Sequence, residues 1–221
     1  MNKKFFYNLV FCLFGLCIFQ TPSLAEPHNL SELKSRLIRY HDSGKYLREI
    51  AEVAAQAKTY INQAVHINTQ QSHPNKLAIV LDIDETSLSN FANMKQNDFA
   101  NNPDQIKTQL LAANEPAIQP ILDLYTQALQ KNIAIFFITG RDLSLAEATA
   151  KNLRAAGYTK WTGLEFRPQK LASSVYKTAI REKITRQGYT IIASIGDQKS
   201  DLVGGYAKRT FKLPNPYYYI P

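Results

Sequence analysis

The feature that most constrains the fold is a nearly continuous apolar run, Leu77 to Ile83, which is rich in isoleucine, valine and leucine. A strand that is half exposed would alternate apolar and polar residues. A continuous run is typical of a strand that is covered on both faces, as in the centre of a parallel sheet. The run therefore predicts that helices pack on both sides of it.

The chain around this run alternates between strand and helix patterns. Further strands are predicted at Ile133 to Ile138, Trp161 to Phe166, Tyr189 to Ile195 and, shorter, Arg209 to Leu213. Helical spacing of apolar residues predicts helices at Tyr46 to Asn68, Ile121 to Leu129, Ser144 to Ala156 and Tyr176 to Arg186. Alternation of this kind predicts an α/β fold with a Rossmann-like, doubly wound parallel sheet.

One segment, Ser87 to Gln119, interrupts the alternation. It is polar and irregular, and it is too long for an ordinary loop in a compact domain. Inserts of this size are usually lids, binding loops or small caps. Apolar residues such as Phe91 and Leu110 favour a small helical cap insert over about residues 87–119, with the rest of residues 26–221 forming the main domain.

The first 25 residues form a separate unit. Lys3 and Lys4 precede an apolar stretch from Phe5 to Phe19, and small residues precede a cut after Ala25. This pattern predicts a secretory signal peptide and export, to the periplasm or alternatively to the medium, with no membrane attachment after cleavage. A retained anchor and lipidation of Cys17 are the alternatives, but the apolar run is short for a spanning helix, which needs about 20 residues.

Composition excludes several kinds of chemistry. Hydrophobic residues make up 45% of the 221 residues, which is enough for a sizeable core. Both cysteines, Cys12 and Cys17, lie in the predicted signal peptide, so the mature chain would have no disulfide or thiolate site. The formal net charge is +8, with the basic residues scattered, and no cluster of lysine, arginine and aromatic residues indicates a nucleic acid polymer as a partner.

Two carboxylates follow the first buried strand, at Asp82 and Asp84. Ligands of open α/β sheets bind outside the carboxyl ends of the strands, where these acids should lie. Burying two charges beside apolar residues is costly unless another group compensates. Acids one residue apart can divide the work, one as a nucleophile and the other in proton transfer.

The segment Asp82-Ile83-Asp84-Glu85-Thr86 resembles the first motif of the haloacid dehalogenase superfamily of phosphatases. Phe136 to Arg141, Lys177 and Gly196 to Asp201 then follow in the order of that superfamily's other motifs. The longer segments Asp82 to Asn90, Gly196 to Leu202 and Phe211 to Pro216 resemble the class B acid phosphatase family, subfamily IIIB. That family includes plant vegetative storage proteins and bacterial non-specific acid phosphatases.

The resemblance implies an acid phosphatase that acts on small-molecule phosphate monoesters. Asp82 would attack phosphorus and become an aspartyl-phosphate, and Asp84 would protonate the leaving alcohol and then activate water. Asp84 would therefore have to start protonated. Thr139 and Gly140 would hold a phosphoryl oxygen, and Lys177 would neutralise Asp82 and the phosphate.

The resemblance also implies one Mg²⁺ per site. Asp82, the main-chain carbonyl of Asp84 and Asp197 would hold it, while Asp201 would hold metal-bound water or steady Lys177. Ionised acids around one lysine leave excess negative charge that would repel a phosphate, and a hard divalent cation with oxygen ligands offsets it. Arg141 and Arg167 could contact substrate or brace local turns.

Two other functions remain open at this point. A storage or binding protein of the same fold would show little turnover, although such proteins typically lack the first acid. A phosphotransferase or 5′-nucleotidase would use the same site on a narrower substrate. The cap insert should contact the leaving group and select among substrates. No motif indicates the oligomeric state.

Overall fold

A computed structural model describes residues 27–168 and 171–220. The predicted signal peptide, with Cys12 and Cys17, lies outside these residues. The strands are β1 (Lys76–Leu81), β2 (Ala134–Thr139), β3 (Gly163–Phe166), β4 (Tyr189–Gly196) and β5 (Ala207–Lys212). The helices are α1 (Leu30–Asp42), α2 (Lys45–Thr69), α3 (Phe91–Gln96), α4 (Pro103–Ala112), α5 (Gln119–Gln130), α6 (Ala146–Ala155) and α7 (Ser173–Arg186).

The five strands form one parallel sheet in the order β3-β2-β1-β4-β5. The first strand, β1, lies in the middle of the sheet. Strands β2 and β3 follow on one side of it, and β4 and β5 follow on the other side. This confirms the predicted doubly wound α/β fold. Within the described residues, no helix has the length and apolarity needed to span a bilayer.

The apolar run of β1 is covered on both faces, as its composition predicts. Ile79 and Leu81 belong to a core cluster that also includes residues of α2 and α5. Ala78 and Val80 face the other side, where they share a cluster with Tyr176 of α7. Successive side chains of a strand point to opposite faces, so a strand between two helical layers must be apolar throughout.

Helix α1 precedes the first of the helices whose bounds were predicted, Tyr46 to Asn68. None of its residues is buried, although Tyr40 is partly buried and packs against the core. The Asn29 side chain caps it by accepting from two backbone N–H groups. Ion pairs Lys34–Asp98 (2.5 Å) and Asp42–Lys95 (2.9 Å) attach it to the segment that contains α3.

The insert between β1 and α5 contains two helices, α3 and α4. Phe91 at the start of α3 is 5% exposed, so it packs inward as the prediction of a small helical cap requires. A bridge between Leu88 and Ala117 brings the two ends of the insert together. The insert therefore leaves and re-enters the main domain at one place, beside the carboxyl end of β1.

Candidate active site

Three adjacent strands carry the predicted site residues to one edge of the sheet. β1 lies between β2 and β4, so the segments beyond their carboxyl ends are neighbours. Asp82 follows β1, Thr139 ends β2 and Asp197 follows β4. The backbone N–H of Asp82 donates to the carbonyl of Ile195 over 3.0 Å, which places Asp82 beside the end of β4.

Asp82, Asp197 and Asp201 form a buried cluster of carboxylates at this edge. Their residues are 6%, 1% and 3% exposed, and one oxygen from each lies within 4.8 Å of the others. Among residues 27–168 and 171–220, no other group of three or more acidic, histidine or cysteine side chains meets this spacing. The structure thus brings together two of the predicted metal ligands and the acid predicted to assist them.

The electrostatics of this acid cluster call for a cation. Burial raises the pKa of Asp82 well above its ordinary range, and repulsion from Asp201 adds to this rise, although Lys177 opposes it. Burial and repulsion from Asp201 also raise the pKa of Asp197. A divalent cation among the oxygens would favour the charged forms, and a set of carboxylates fits Mg²⁺.

Lys177 in α7 supplies one positive charge to the cluster. Its Nζ lies 2.5 Å from Oδ1 of Asp82 and 2.5 Å from Oδ1 of Asp201, and the residue is 4% exposed. Burial alone would lower its pKa, but the attraction of the two carboxylates raises it on balance. Lys177 is therefore charged and bridges two acids. By contrast, the neighbouring Lys183 forms an exposed pair with Glu165.

Asp201 holds its place through a tight turn after β4. Its Oδ2 accepts the backbone N–H of Gln198 over 2.7 Å, and its carbonyl accepts Nη1 of Arg181 over 2.9 Å. A Cβ atom at Gly196 would lie 2.3 Å from Cβ of Asp201, so only glycine fits at the end of β4. The turn directs Asp201 towards Lys177, which is one of the two roles predicted for it.

Asp84 lies apart from the acid cluster and has its own counter-charge. Arg141 donates to it from Nη2 over 2.7 Å and from Nε over 3.1 Å, and Nη1 of Arg141 donates to Thr149 over 3.1 Å. Asn90 donates a further hydrogen bond to Asp84 over 2.9 Å. Arg141 is 5% exposed, so the structure assigns it to Asp84 and not to the turn that follows β2.

This pairing changes one sequence-based expectation. Burial would raise the pKa of Asp84, but attraction and hydrogen bonds from Arg141, with a further bond from Asn90, outweigh it and lower the pKa. The free protein therefore carries Asp84 as a carboxylate at neutral pH, whereas its role as a proton donor led us to expect that it starts protonated. The sequence pattern did not contain the cause, because Arg141 approaches Asp84 only through the fold.

Thr139 and Gly140 lie at the end of β2, on the same edge as Asp82. The Thr139 hydroxyl accepts the backbone N–H of Arg141 over 3.1 Å, which leaves its proton able to point elsewhere. Arg167 donates from Nε to the Gly140 carbonyl over 3.1 Å and from Nη1 to the Leu171 carbonyl over 2.9 Å. Arg167 thus braces the loop after β2, and these bonds engage two of its donors.

Several polar side chains at the site were not assigned a role from the sequence. Thr86 donates to Oδ1 of Asp197 over 2.9 Å, and Gln198 and Asn215 each donate to Oδ2 over 2.7 Å. All three lie within the segments that resemble the subfamily. Their positions in those motifs were the available signal, but nothing in the spacing alone indicates a shared acceptor.

Glu85 is a fourth buried acid, to which the sequence motifs assigned no role. It is 1% exposed, adopts a positive φ of 52°, and accepts the backbone N–H of Asn90 over 2.6 Å and the hydroxyl of Tyr218 over 3.0 Å. Burial, with a contribution from Asp84, raises its pKa to about 8. Glu85 is therefore largely neutral at pH 7 and holds the loop between β1 and the insert.

Comparisons with known proteins identify the family of the chain. Residues 23–221 match the family described as HAD superfamily, subfamily IIIB (Acid phosphatase). A stem 28 kDa glycoprotein of Glycine max is 38% identical over 171 residues, which are 72% of this chain and 67% of that protein. Acid phosphatase 1 of Solanum lycopersicum is 33% identical over 148 residues, covering 64% of this chain and 58% of that protein.

The fold also matches a solved structure. The class C acid phosphatase from Bacillus anthracis superposes with a TM-score of 0.73, covering 86% of each chain at 20% sequence identity. At this identity the match concerns the fold.

Proposed function

The chain belongs to subfamily IIIB of the HAD superfamily, the acid phosphatases, and we propose that it is a Mg²⁺-dependent enzyme that hydrolyses phosphate monoesters through an aspartyl-phosphate on Asp82. One observation carries this proposal. Lys177 bridges Asp82 and Asp201, and Asp197 completes a buried cluster whose charge is uncompensated without a further cation.

The proposed nucleophile is Asp82. An Oδ atom of Asp82 forms a bond to phosphorus while the bond between phosphorus and the leaving oxygen breaks, and the electron pair of that bond leaves with the oxygen. Lys177 keeps Asp82 oriented and offsets charge on the transferred phosphoryl group. The hydroxyl of Thr139 and the backbone N–H groups after β2 would donate to a phosphoryl oxygen.

The proposed proton donor is Asp84. It gives a proton to the leaving oxygen in the first step and accepts one from water in the second, when water attacks phosphorus and releases Asp82. Because Arg141 lowers the pKa of Asp84, the donor form is populated only as the pH falls. Activity at acid pH follows from this arrangement.

Asp82, Asp197 and the main-chain carbonyl of Asp84 would hold the Mg²⁺. When bound, the ion supplies the positive charge that lets an anionic phosphate approach the carboxylates. Asp84 adds no net charge to the count because Arg141 neutralises it. The three ionised carboxylates of the cluster and the single positive charge of Lys177 leave a net negative charge, which one divalent cation offsets.

Substrate identity and location complete the proposal. The substrates are small phosphate monoesters whose leaving groups contact the insert of residues 87–119, and the predicted signal peptide of residues 1–25 exports the protein to the periplasm. Transfer of phosphate to added alcohols, compared with transfer to water, separates a hydrolase from a phosphotransferase. A storage protein with little turnover is disfavoured, since Asp82, Asp84 and Lys177 are all present and paired.

The test is phosphate release from an aryl phosphate by the wild-type protein and by Asp82→Asn, with and without Mg²⁺, at several pH values. We expect Asp82→Asn to lower kcat by at least about 10³-fold and chelation of Mg²⁺ to abolish wild-type activity. Asp123→Asn is the matched control, because Asp123 is exposed on α5 and bonded to Gln119. Full activity in Asp82→Asn would rule out the aspartyl-phosphate.

A further inference from the structure

The chain does not end at the sheet but runs back over the acid cluster. After β5, the backbone N–H of Leu213 donates to the carbonyl of Gly196 over 2.9 Å, and the Leu213 side chain is fully buried. Residues 213–220, here called the C-terminal strap, then pass beside the turn that carries Asp197. Part of the strap lies in the Phe211 to Pro216 segment, whose role the proposed function does not explain.

The strap backbone fixes the orientation of two side-chain amides. The N–H of Tyr217 donates to Oδ1 of Asn215 over 2.9 Å, and the N–H of Ile220 donates to Oε1 of Gln198 over 3.0 Å. An amide whose oxygen accepts from a backbone N–H must present its NH₂ group on the other side. The strap thus sets both amides without ambiguity between oxygen and nitrogen.

Both NH₂ groups point at the same atom. Nδ2 of Asn215 and Nε2 of Gln198 each lie 2.7 Å from Oδ2 of Asp197. Oδ1 of Asp197 accepts one bond, from Thr86. Two donors occupy Oδ2, so Oδ1 is the oxygen with capacity left for a cation.

A second set of contacts holds the strap in place. The hydroxyl of Tyr218 donates to Glu85, next to Asp84. The ring of Tyr217 packs against Tyr46 of α2 at 5.2 Å between centroids and against Phe91 of α3 at 5.3 Å. The strap is therefore clamped between the sheet edge, α2 and the insert, and its position at Asp197 is determined by these contacts.

We propose that the C-terminal strap is part of the metal site, with Asn215 as a positioning residue that turns Oδ1 of Asp197 towards the Mg²⁺. This inference rests on the proposed function, because it assumes that Asp197 is a metal ligand. Hydrogen bonds to a ligating carboxylate fix its orientation, and their removal typically weakens metal binding by about 10- to 100-fold.

Calorimetric titration with Mg²⁺, repeated with Mn²⁺ followed by paramagnetic resonance, tests the proposal directly. We expect Asn215→Ala to raise the Kd for both ions by about 10- to 100-fold, and excess Mg²⁺ to restore most of kcat. Asn215→Ser keeps a hydrogen-bond donor on a shorter side chain. Its Kd for both ions should therefore lie between those of the wild type and Asn215→Ala. Asn62→Ala is the control, since Asn62 is exposed on α2 and belongs to neither the strap nor the insert.

The outcomes separate this inference from the proposed function. If Asp197→Asn abolishes Mg²⁺ binding while folded Asn215→Ala and Asn215→Ser bind Mg²⁺ with the wild-type Kd, the role of the strap is wrong and the metal site stands. If Asp197→Asn binds Mg²⁺ as tightly as the wild type does, the metal site itself is wrong. Should Asn215→Ala fail to fold, Asn215→Ser alone decides, and an unchanged Kd overturns the proposal.

Discussion

Each acid of the site has a distinct partner, and these partners separate the roles of chemically identical groups. Asp82 is paired with Lys177, whereas Asp84 is paired with Arg141, at N–O distances of 2.5 and 2.7 Å. The environment raises the pKa of Asp82 through burial but lowers that of Asp84 through its arginine. Attack on phosphorus needs the charged form of Asp82, which Lys177 and a divalent cation would favour, whereas proton donation needs the neutral form of Asp84, which is present only at low pH.

Replacement of Arg141 should change the pH dependence of the reaction. Arg141 depresses the pKa of Asp84, so the proton needed by the leaving group is present only at low pH, and kcat/KM falls as pH rises. In Arg141→Met the pKa of Asp84 should rise. The decrease in kcat/KM should therefore begin at a higher pH than in the wild type. We also expect kcat/KM at acid pH to drop by about 10-fold or more, because Asp84 loses its orientation.

The pH profile of kcat/KM, measured on a substrate whose own ionisation is constant over the range, checks this expectation. Arg186→Met serves as the control, since Arg186 is exposed and pairs with Glu182 within one helix. A profile for Arg141→Met that coincides with that of the wild type would show that the arginine does not control the proton on Asp84.

The element that positions the cluster most tightly is the turn between β4 and β5. It contains a short 3₁₀ helix, Lys199–Asp201, and it packs against α7, which carries Lys177. Arg181 of α7 donates to the carbonyls of Asp201, Val203 and Gly205 and thereby fixes the path of the turn. The turn and α7 together set the separation of Asp201 and Lys177.

Gly196→Ala tests this packing. The added methyl would lie 2.4 Å from Oδ2 of Asp201, so Asp201 must move and Lys177 with it. We expect activity per folded molecule to fall by about 10²-fold, as for a reacting group displaced by roughly 1 Å. The measurement is kcat on protein whose folded fraction is established by circular dichroism.

Gly188→Ala provides the comparison for a glycine that is remote from the site. Gly188 has φ of 88°, and no atom lies within 4 Å of the position that a Cβ would take, so alanine should cost about 1–3 kcal/mol of backbone strain without moving Asp201. We expect a lower Tm with unchanged kcat. Equal kcat in wild type and Gly196→Ala would contradict the positioning role of the turn.

Elements differ in how far the sequence predicts them. The buried strand β1 and the helices α2 and α5 were predicted because they pack on the core and carry apolar residues at regular spacing. The bounds of helix α1 were not predicted, since none of its residues is buried and its ion pairs are with residues of the insert. Such contacts join residues far apart in the chain and leave no local pattern.

At the scale of the whole molecule, the order of the strands in the sheet determines which residues meet at the site. Strand order alone brings Asp82, Thr139 and Asp197 to one edge, and the family motifs predicted this convergence. The contacts that tune the site could not be predicted in the same way. Arg141 reaches Asp84, and Asn215 reaches Asp197, through loops whose paths depend on the packing of the complete chain.

The central claim is that the phosphoryl group is transferred to Asp82. Turnover of a labelled aryl phosphate, stopped with acid within milliseconds and followed by peptide mapping, measures this directly because acid preserves an acyl phosphate long enough for analysis. We expect label on the peptide that contains Asp82, with none in Asp82→Asn. Label on a different residue, or turnover without any phosphorylated protein in the wild type, would contradict the claim.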